Sequence, residues 1–318
     1  MNEFLLSIVV ISYNEREFLR DLLDGLDGQT IGVNDVEIII VDDGSTDGSQ
    51  NDVELWVDKN SNTRRFINKS NGGQSSARNY GLREAKGKFI WFIDGDDLIH
   101  QDAVSVVKKN LSETDSDGVL VQFTRIFKNI DNQISLKVRR NESPMRLLAS
   151  GVVKDYAWQY IVKKELVEEY VYFPNERLFE DVATTYRLYA NLSNVDFIEN
   201  PIIYYRSRSG STMTSKSKRM VTSMYENLNE INEFIRYGNW TKKQRNQLEM
   251  QRLNMASITL QLNAENSLLE KEDVTRVKKY ISIRYIVSSG NLFTFKPWVK
   301  YLLGKSDLLR KLARGVRK

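Results

Sequence analysis

At 318 residues the chain can bury one large core or two smaller ones, and its 41% apolar and 28% charged residues are those of an ordinary soluble globular protein. A net charge of +4, with no basic stripe interleaved with aromatics in the first two thirds, argues against a nucleic-acid partner. The absence of cysteine excludes disulfides, thiolate metal sites and a cysteine nucleophile and suits a reducing cytoplasm, while a single histidine, His100, excludes multi-histidine zinc sites.

In chain order, residues 5–11 predict a first strand, with no basic segment before it to suggest an export signal. Residues 15–26 have helical spacing through Phe18, Leu22 and Leu26. Residues 36–41 form a second strand, followed by a helix from near Thr46, and residues 65–68 a short third strand. Residues 74–85 read as a helix through Ala77, Tyr80 and Leu82, ended by Gly87. The run Phe89-Ile90-Trp91-Phe92-Ile93 within residues 88–93 predicts a fully buried fourth strand. This alternation argues for a parallel, doubly wound sheet whose ligands gather at the carboxyl ends of the strands.

Beyond residue 111 the rhythm changes. Residues 118–123 and 160–162 read as strands, residues 195–198 and 202–205 as two strands split by Pro201, and residues 178–190 as a helix through Phe179, Val182, Tyr186 and Tyr189. From residue 213 only helical patterns remain: Met220, Met224, Leu228, Ile231 and Ile235 up to Gly238, then a second helix after Thr241 with Leu248, Leu253 and Ile258. The expected divisions are residues 1–110, 111–212 and 213–318. No segment reaches the roughly 18 consecutive apolar residues of a membrane span.

Four polar loops fall on one predicted sheet edge: Tyr13-Asn14-Glu15, residues 42–49, Asn71-Gly72-Gly73, and Asp94-Gly95-Asp96-Asp97. Carboxylates crowded at a strand end repel one another unless a cation sits among them. The last loop therefore predicts Mn²⁺ or Mg²⁺ on hard oxygen ligands with a phosphate as co-ligand. The alternative is an acidic turn capping the next helix.

With these pieces in view, the chain resembles a family 2 glycosyltransferase of the bacterial surface-polysaccharide type, over roughly residues 4–212. The matching segments are Val9-Val10-Ile11-Ser12-Tyr13-Asn14-Glu15, Val41-Asp42-Asp43-Gly44-Ser45-Thr46-Asp47, Asn71-Gly72-Gly73 with Ser76-Ala77-Arg78-Asn79, Asp94-Gly95-Asp96-Asp97 and Glu180-Asp181, in the family's order and spacing. The resemblance implies the GT-A fold, a Rossmann-like, mostly parallel mixed sheet flanked by helices, here with a C-terminal helical appendage. It implies inverting, metal-dependent transfer of a hexosyl or N-acetylhexosaminyl group from a nucleotide-sugar, with a UDP-sugar expected, to a hydroxyl of a growing surface glycan. Such an acceptor, for a capsule or exopolysaccharide, is expected to be lipid-linked.

The resemblance also implies roles. Asp43 would accept a hydrogen bond from uracil, with Tyr13 flanking the base and Asp42 either sharing that role or holding the loop. Ser12, Asn71, Gly73 and Gly95 belong to the donor-binding motifs. Glu15 would reach the ribose or act as a helix-start carboxylate, and Arg78 would contact the nucleotide-sugar or be a surface helix arginine. Asp96 would ligate the metal, Asp94 would contact ribose or the metal's water shell, and Asp97 would cap the helix beginning near Gln101. Asp181 matches the general base, its pKa raised by Glu180 beside it; the alternative is an ordinary acidic pair at a helix N-terminus. Residues 204–212 resemble a mobile loop closing over the donor diphosphate, with Arg206, Arg208 and Ser211 as donors and Gly210 as hinge. Trp158 would face the acceptor or sit in the core.

Residues 296–318 hold eight Lys/Arg and one acidic residue, Asp307, with Trp298, Leu302, Leu309, Leu312 and Val316 at helical spacing. A basic amphipathic helix of this kind predicts peripheral binding at the inner face of the plasma membrane, with a partner-binding tail as alternative. The rival readings of the whole chain are a nucleotidyltransferase activating a sugar phosphate and a non-catalytic nucleotide- or glycan-binding module. A dehydrogenase is disfavoured, because no G-x-G-x-x-G follows a predicted strand.

Overall fold

The computed structural model describes residues 4–29, 35–127, 130–134, 142–206 and 217–281. The chain divides into two compact units, residues 1–148 with 152–215, and residues 149–151 with 216–318.

The first unit alternates β1 (Phe4–Ser12), α1 (Arg16–Asp27), β2 (Val36–Asp42), α2 (Ser49–Asp58), β3 (Arg64–Asn68), α3 (Gly73–Glu84), β4 (Gly87–Asp94) and β5 (Leu98–Ile99). It continues with α4 (Ala103–Glu113), β6 (Gly118–Phe127), β7 (Ile130–Ile134), α5 (Pro144–Ala149), a 3-10 turn (Ala157–Gln159), β8 (Tyr160–Lys163), α6 (Lys164–Tyr170), α7 (Glu180–Asn191) and β9 (Asp196–Arg206). One nine-stranded sheet runs β3-β2-β1-β4-β8-β6-β9-β5, with β7 paired to β6. The β3-β2-β1-β4 half is parallel. β8 lies antiparallel between β4 and β6, so β6 runs parallel to β4, and β9 follows β6 in parallel.

The physical cause is legible in the side chains. Ile8 to Ile11, Ile38 to Val41 and Phe89 to Ile93 are all buried, as expected of strands covered on both faces, where β-branched and aromatic residues pack best. Each such side chain contributes about 1.5–3 kcal/mol by leaving water. α1 buries one stripe, Leu19, Leu22, Leu23 and Leu26. α3 approaches β1 so closely that a Cβ on Gly81 would fall 2.3 Å from Val9 Cγ1.

Three expectations are corrected here. β9 is one strand rather than two, because Pro201, which has no N–H to give the ladder, falls at a register irregularity opposite Gln122. Asp97 does not cap a helix: β5 intervenes, α4 starts only at Ala103 after Asp102, and the buried Asp97 accepts from the Arg206 amide at 3.0 Å. The helix of the acidic pair starts at Glu180 rather than residue 178, with Phe179 before it in a left-handed conformation, φ 59°.

The second unit holds α8 (Lys218–Tyr237), α9 (Lys242–Asn266) and α10 (Lys271–Lys279). Met220, Met224, Leu228, Ile231 and Ile235 are buried along α8 at the predicted spacing. Thr241 and Gln244 form a reciprocal capping box at the start of α9. Leu248 and Leu253 are buried, whereas Ile258 is exposed. No helix among the described residues is long and apolar enough to cross a membrane. Residues 296–318 lie outside the described residues.

Candidate active site

Strand register aligns the predicted loops. Ser12 pairs with Asp42 across β1 and β2, Ile11 pairs with Asp94 across β1 and β4, and Asp42 pairs with Asn68 across β2 and β3. Four consecutive strands thus end at one level, and their polar loops open on the same edge.

Those loops are tied to one another. Asn14, at φ 52°, accepts from the Thr46 amide at 2.8 Å and gives its own amide to Ser45 Oγ at 2.9 Å. Asp42 accepts from the Ser45 amide at 3.0 Å, from its hydroxyl, and from Gln50 Nε2 at 3.1 Å. Asp43 accepts from the amides of Gly72 at 3.0 Å and Gly73 at 2.7 Å and from Lys69 Nζ at 2.5 Å. Both carboxylates therefore hold loops. Gly44 serves the same closure, since at φ 79° a Cβ there would meet the Asn71 amide nitrogen at 2.9 Å. Ser12 Oγ is enclosed without a hydrogen-bond partner among the described residues, while Tyr13 stands 47% exposed at the mouth. Glu15 directly precedes α1 and makes no side-chain cap bond.

The acidic loop is the centre of the arrangement. The Gly95 amide donates to the Ile11 carbonyl at 2.8 Å, fixing the loop on β1. Arg78 is no surface arginine: at 3% exposure it donates to Asp94 Oδ1 at 2.6 Å and to Glu180 Oε1. Gln74 Nε2 holds the other Glu180 oxygen at 2.5 Å. Burial opposes the Arg78 charge, but Asp94, Glu180 and Asp181 outweigh it and push its pKa up. Asp94 and Asp96 are half-buried. Burial, then the charges of Asp94 and Asp96, push the Asp97 carboxyl well above the usual carboxylate range.

No cluster of three or more carboxylates or histidines among the described residues forms a complete metal cage. Asp94 gives one oxygen to Arg78 and Asp97 is enclosed, while Asp96 is half-buried beside them as a carboxylate that could hold a cation. That donor set fits Mg²⁺ or Mn²⁺, which take one or two carboxylates and complete their shells with substrate phosphates and water.

Asp181 is half-buried at the first turn of α7, and its Oδ1 accepts from the Val182 amide at 2.8 Å. Burial, then the charges of Glu180 and Asp155, push its carboxyl well above the usual range. The like-charge effect expected of Glu180 is present but second to desolvation. Asp155, which spacing alone did not single out, is itself pushed up by burial to about 7, and its carbonyl accepts from Thr185 Oγ1 at 2.7 Å.

Two expected contacts are placed elsewhere. Trp158 is 3% exposed, its ring 4.8 Å from both Tyr156 and Phe123 and its carbonyl accepting from Trp91 Nε1 at 3.1 Å, so it packs in the core. Arg206 ends β9 and is bound to the acidic loop rather than standing open, donating Nε to the Asp96 carbonyl at 2.5 Å. Arg208 and Ser211 lie outside the described residues. The sequence did not single out Lys69, Gln74 or Asp155; Gln74 falls between the matched pieces Asn71-Gly72-Gly73 and Ser76-Ala77-Arg78-Asn79.

Known proteins resemble this chain in sequence and share its fold. GlyG, a glycosyltransferase of Streptococcus pneumoniae, is 29% identical over 225 residues, covering 67% of this chain and 74% of GlyG. The structure of Staphylococcus aureus TarS residues 1–349 in complex with UDP-GlcNAc superposes with a TM-score of 0.70 at 22% identity, over 89% of this chain and 83% of that one. The mannosyltransferase PcManGT of Pyrobaculum calidifontis, in complex with GDP-Man and Mn²⁺, gives a TM-score of 0.54 at 17% identity over 95% and 88% of the two chains. The fold is thus the expected GT-A type with a helical appendage. The model of glycosyl transferase family 2 matches residues 7–170, and with the loops assembled on that sheet edge the chain belongs to this family of sugar-transferring enzymes.

Proposed function

We propose that this glycosyltransferase is inverting and metal-dependent, and that it moves a hexosyl or N-acetylhexosaminyl group from a UDP-sugar to a hydroxyl of a lipid-linked surface glycan. The observation that carries the reading is the Arg78 bridge. One buried guanidinium joins Asp94 of the acidic loop to Glu180 beside Asp181, so donor loop and base are one rigid network. Pre-organisation of that kind is what transfer in a fixed geometry requires.

In this reading Tyr13, the exposed ring at the mouth, flanks the base, while Asp42 and Asp43 fix the loops beneath it. Ser12, Asn71, Gly73 and Gly95 line the donor crevice, with Glu15 toward the ribose. Arg206 positions the acidic loop, and Arg208 and Ser211 approach the diphosphate. Asp96 would hold Mn²⁺ or Mg²⁺, a cation that would supply charge neutralisation for the diphosphate. Asp181 takes the proton of the acceptor hydroxyl as that oxygen bonds to the anomeric carbon from the face opposite the diphosphate. The bond from the anomeric carbon to the β-phosphate oxygen breaks, and UDP leaves with its electron pair. A base whose pKa is drawn above the usual carboxylate range suits this step. The UDP-GlcNAc bound to TarS supports the donor class, and the Mn²⁺ bound to PcManGT supports the metal. The basic segment 296–318 supports attachment to an anionic membrane surface.

A nucleotide-release screen over UDP-, GDP- and dTDP-sugars, with and without Mn²⁺ or Mg²⁺, tests the reading. Release from a UDP-sugar that stops on chelation and returns with metal is expected; chelator-insensitive turnover would refute metal dependence. Removing residues 296–318 should release the protein from anionic vesicles, and unchanged partitioning would refute the membrane role.

A further inference from the structure

We propose that Arg125, stacked on Tyr205 beside Tyr156, forms a phosphate-binding subsite next to the donor crevice, taking a phosphate group of one of the two substrates. The inference rests on the donor reading of this sheet edge.

β6 runs parallel to β4 through their shared partner β8, and Ile90 and Gly118 both face Val162. Counted from that level, Arg125 lies about three residues, roughly 10 Å, further out than Asp94 on the ligand side of the sheet. Strand alternation puts it on the face of Val119, Val121 and Phe123, all buried in the main core cluster. A cation on a core-facing register costs free energy unless an anion meets it. Among the described side chains Arg125 makes no ion pair with a carboxylate, and its Nε is enclosed without a hydrogen bond. Its guanidinium instead lies 5.1 Å over the Tyr205 ring, its register partner across β9. Tyr205 stacks on Tyr156 at 6.0 Å and 13°, and Tyr156 on Trp158 at 4.8 Å and 25°, so the cation rests on a rigid platform.

The surroundings are those of the reacting groups. Burial raises the Tyr156 phenol pKa, Arg125 opposes it, and Asp181, Asp155 and Asp97 add to it, so Tyr156 stands within the field of both base and acidic loop. Across β9, Arg125 meets the Tyr205 ring rather than a carboxylate, so its planar guanidinium keeps N–H groups to offer. That geometry suits phosphate oxygens, which accept paired N–H bonds.

Titration of the full chain with UDP plus Mn²⁺, and separately with glycerol phosphate, tests the subsite in wild type, Arg125→Met and Arg125→Lys. Methionine keeps the stack on Tyr205 and removes the charge; a thermal melt checks the fold. Arg125→Met should weaken one ligand by about tenfold or more, with Arg125→Lys intermediate. Loss of UDP affinity assigns the donor diphosphate; loss of glycerol phosphate with UDP unchanged assigns a phosphate-bearing acceptor. Unchanged UDP affinity with no Arg125-dependent glycerol phosphate binding overturns the subsite. Wild-type protein that binds no UDP fails the donor reading, and the glycerol phosphate arm then decides the subsite alone. Should the methionine variant unfold, the lysine variant carries the test.

Discussion

Arg206 Nε donates to the main-chain carbonyl of Asp96 at 2.5 Å, binding the end of β9 to the proposed metal-holding residue 110 positions earlier. The same guanidinium reaches Asp21 Oδ2 at 2.6 Å and the Phe18 carbonyl at 2.8 Å, so α1, the acidic loop and β9 meet on one side chain. Arg206→Lys keeps the charge but cannot make the fork. It should cost on the order of 2–3 kcal/mol through lost hydrogen bonds and weaken Mn²⁺-supported UDP binding about tenfold. Calorimetric titration of UDP with and without Mn²⁺ checks this; an effect equal in both conditions would show that the loop does not depend on Arg206.

Arg78→Met tests the bridge between loop and base. Removing the cation leaves the buried Glu180 and the half-buried Asp94 without their shared partner, a change that costs about 3–5 kcal/mol for a fully buried pair and less with Asp94 partly in water. The melting temperature should fall by several degrees, and sugar transfer should drop by at least about a hundredfold. Lysine in its place should recover stability more than activity, because a point charge cannot hold two carboxylates in a fixed plane. Equal recovery of both would mean that Arg78 serves packing alone.

How much of this was legible beforehand follows from the chemistry of each segment. β1, β2 and β4 announce themselves because strands buried on both faces need unbroken runs such as Ile38-Ile39-Ile40-Val41, which no solvent-facing element tolerates. The edge that gathers the loops follows from parallel connections, so the meeting of Asp42, Asn71 and Asp94 was readable from order alone. Asp97 was misread because an aspartate a few residues before a helix resembles a cap; the two-residue strand that displaces it is held by β9, more than a hundred residues later. β9 was read as two strands because Pro201 normally ends a strand, whereas here it falls at a bulge. Arg78 carries no local sign of burial, since its partners Asp94 and Glu180 come from distant elements. Only the family resemblance pointed to it.

Asp181→Asn separates chemistry from binding. The amide keeps the shape of the carboxylate but cannot take a proton, so transfer should fall by about 10²–10⁴ while UDP affinity stays within a factor of two or so. Stability should not decline, because the substitution removes a half-buried charge that burial, Glu180 and Asp155 all disfavour. Transfer near the wild-type rate would place the base elsewhere.

Asp155 gives the protein a pH dependence with a definite sign. Its carboxyl is pushed by burial from 3.8 to about 7, so the folded chain binds this proton more tightly than the unfolded chain does. Below about pH 4 both states hold the proton and the group contributes nothing. Between about pH 4 and 7 the unfolded state loses it first, so stability falls as pH rises, by about 2–4 kcal/mol in total for this group. Asp155→Asn should therefore raise the melting temperature at pH 8 and leave it unchanged at pH 4. The same substitution removes a charge that raises the Asp181 carboxyl, so the acidic limb of the transfer rate should move to lower pH. Melting curves and initial rates across pH 4 to 9 read both effects. Superimposable stability profiles for the two proteins would show that Asp155 is already ionised at low pH, and an unmoved acidic limb would uncouple it from the base.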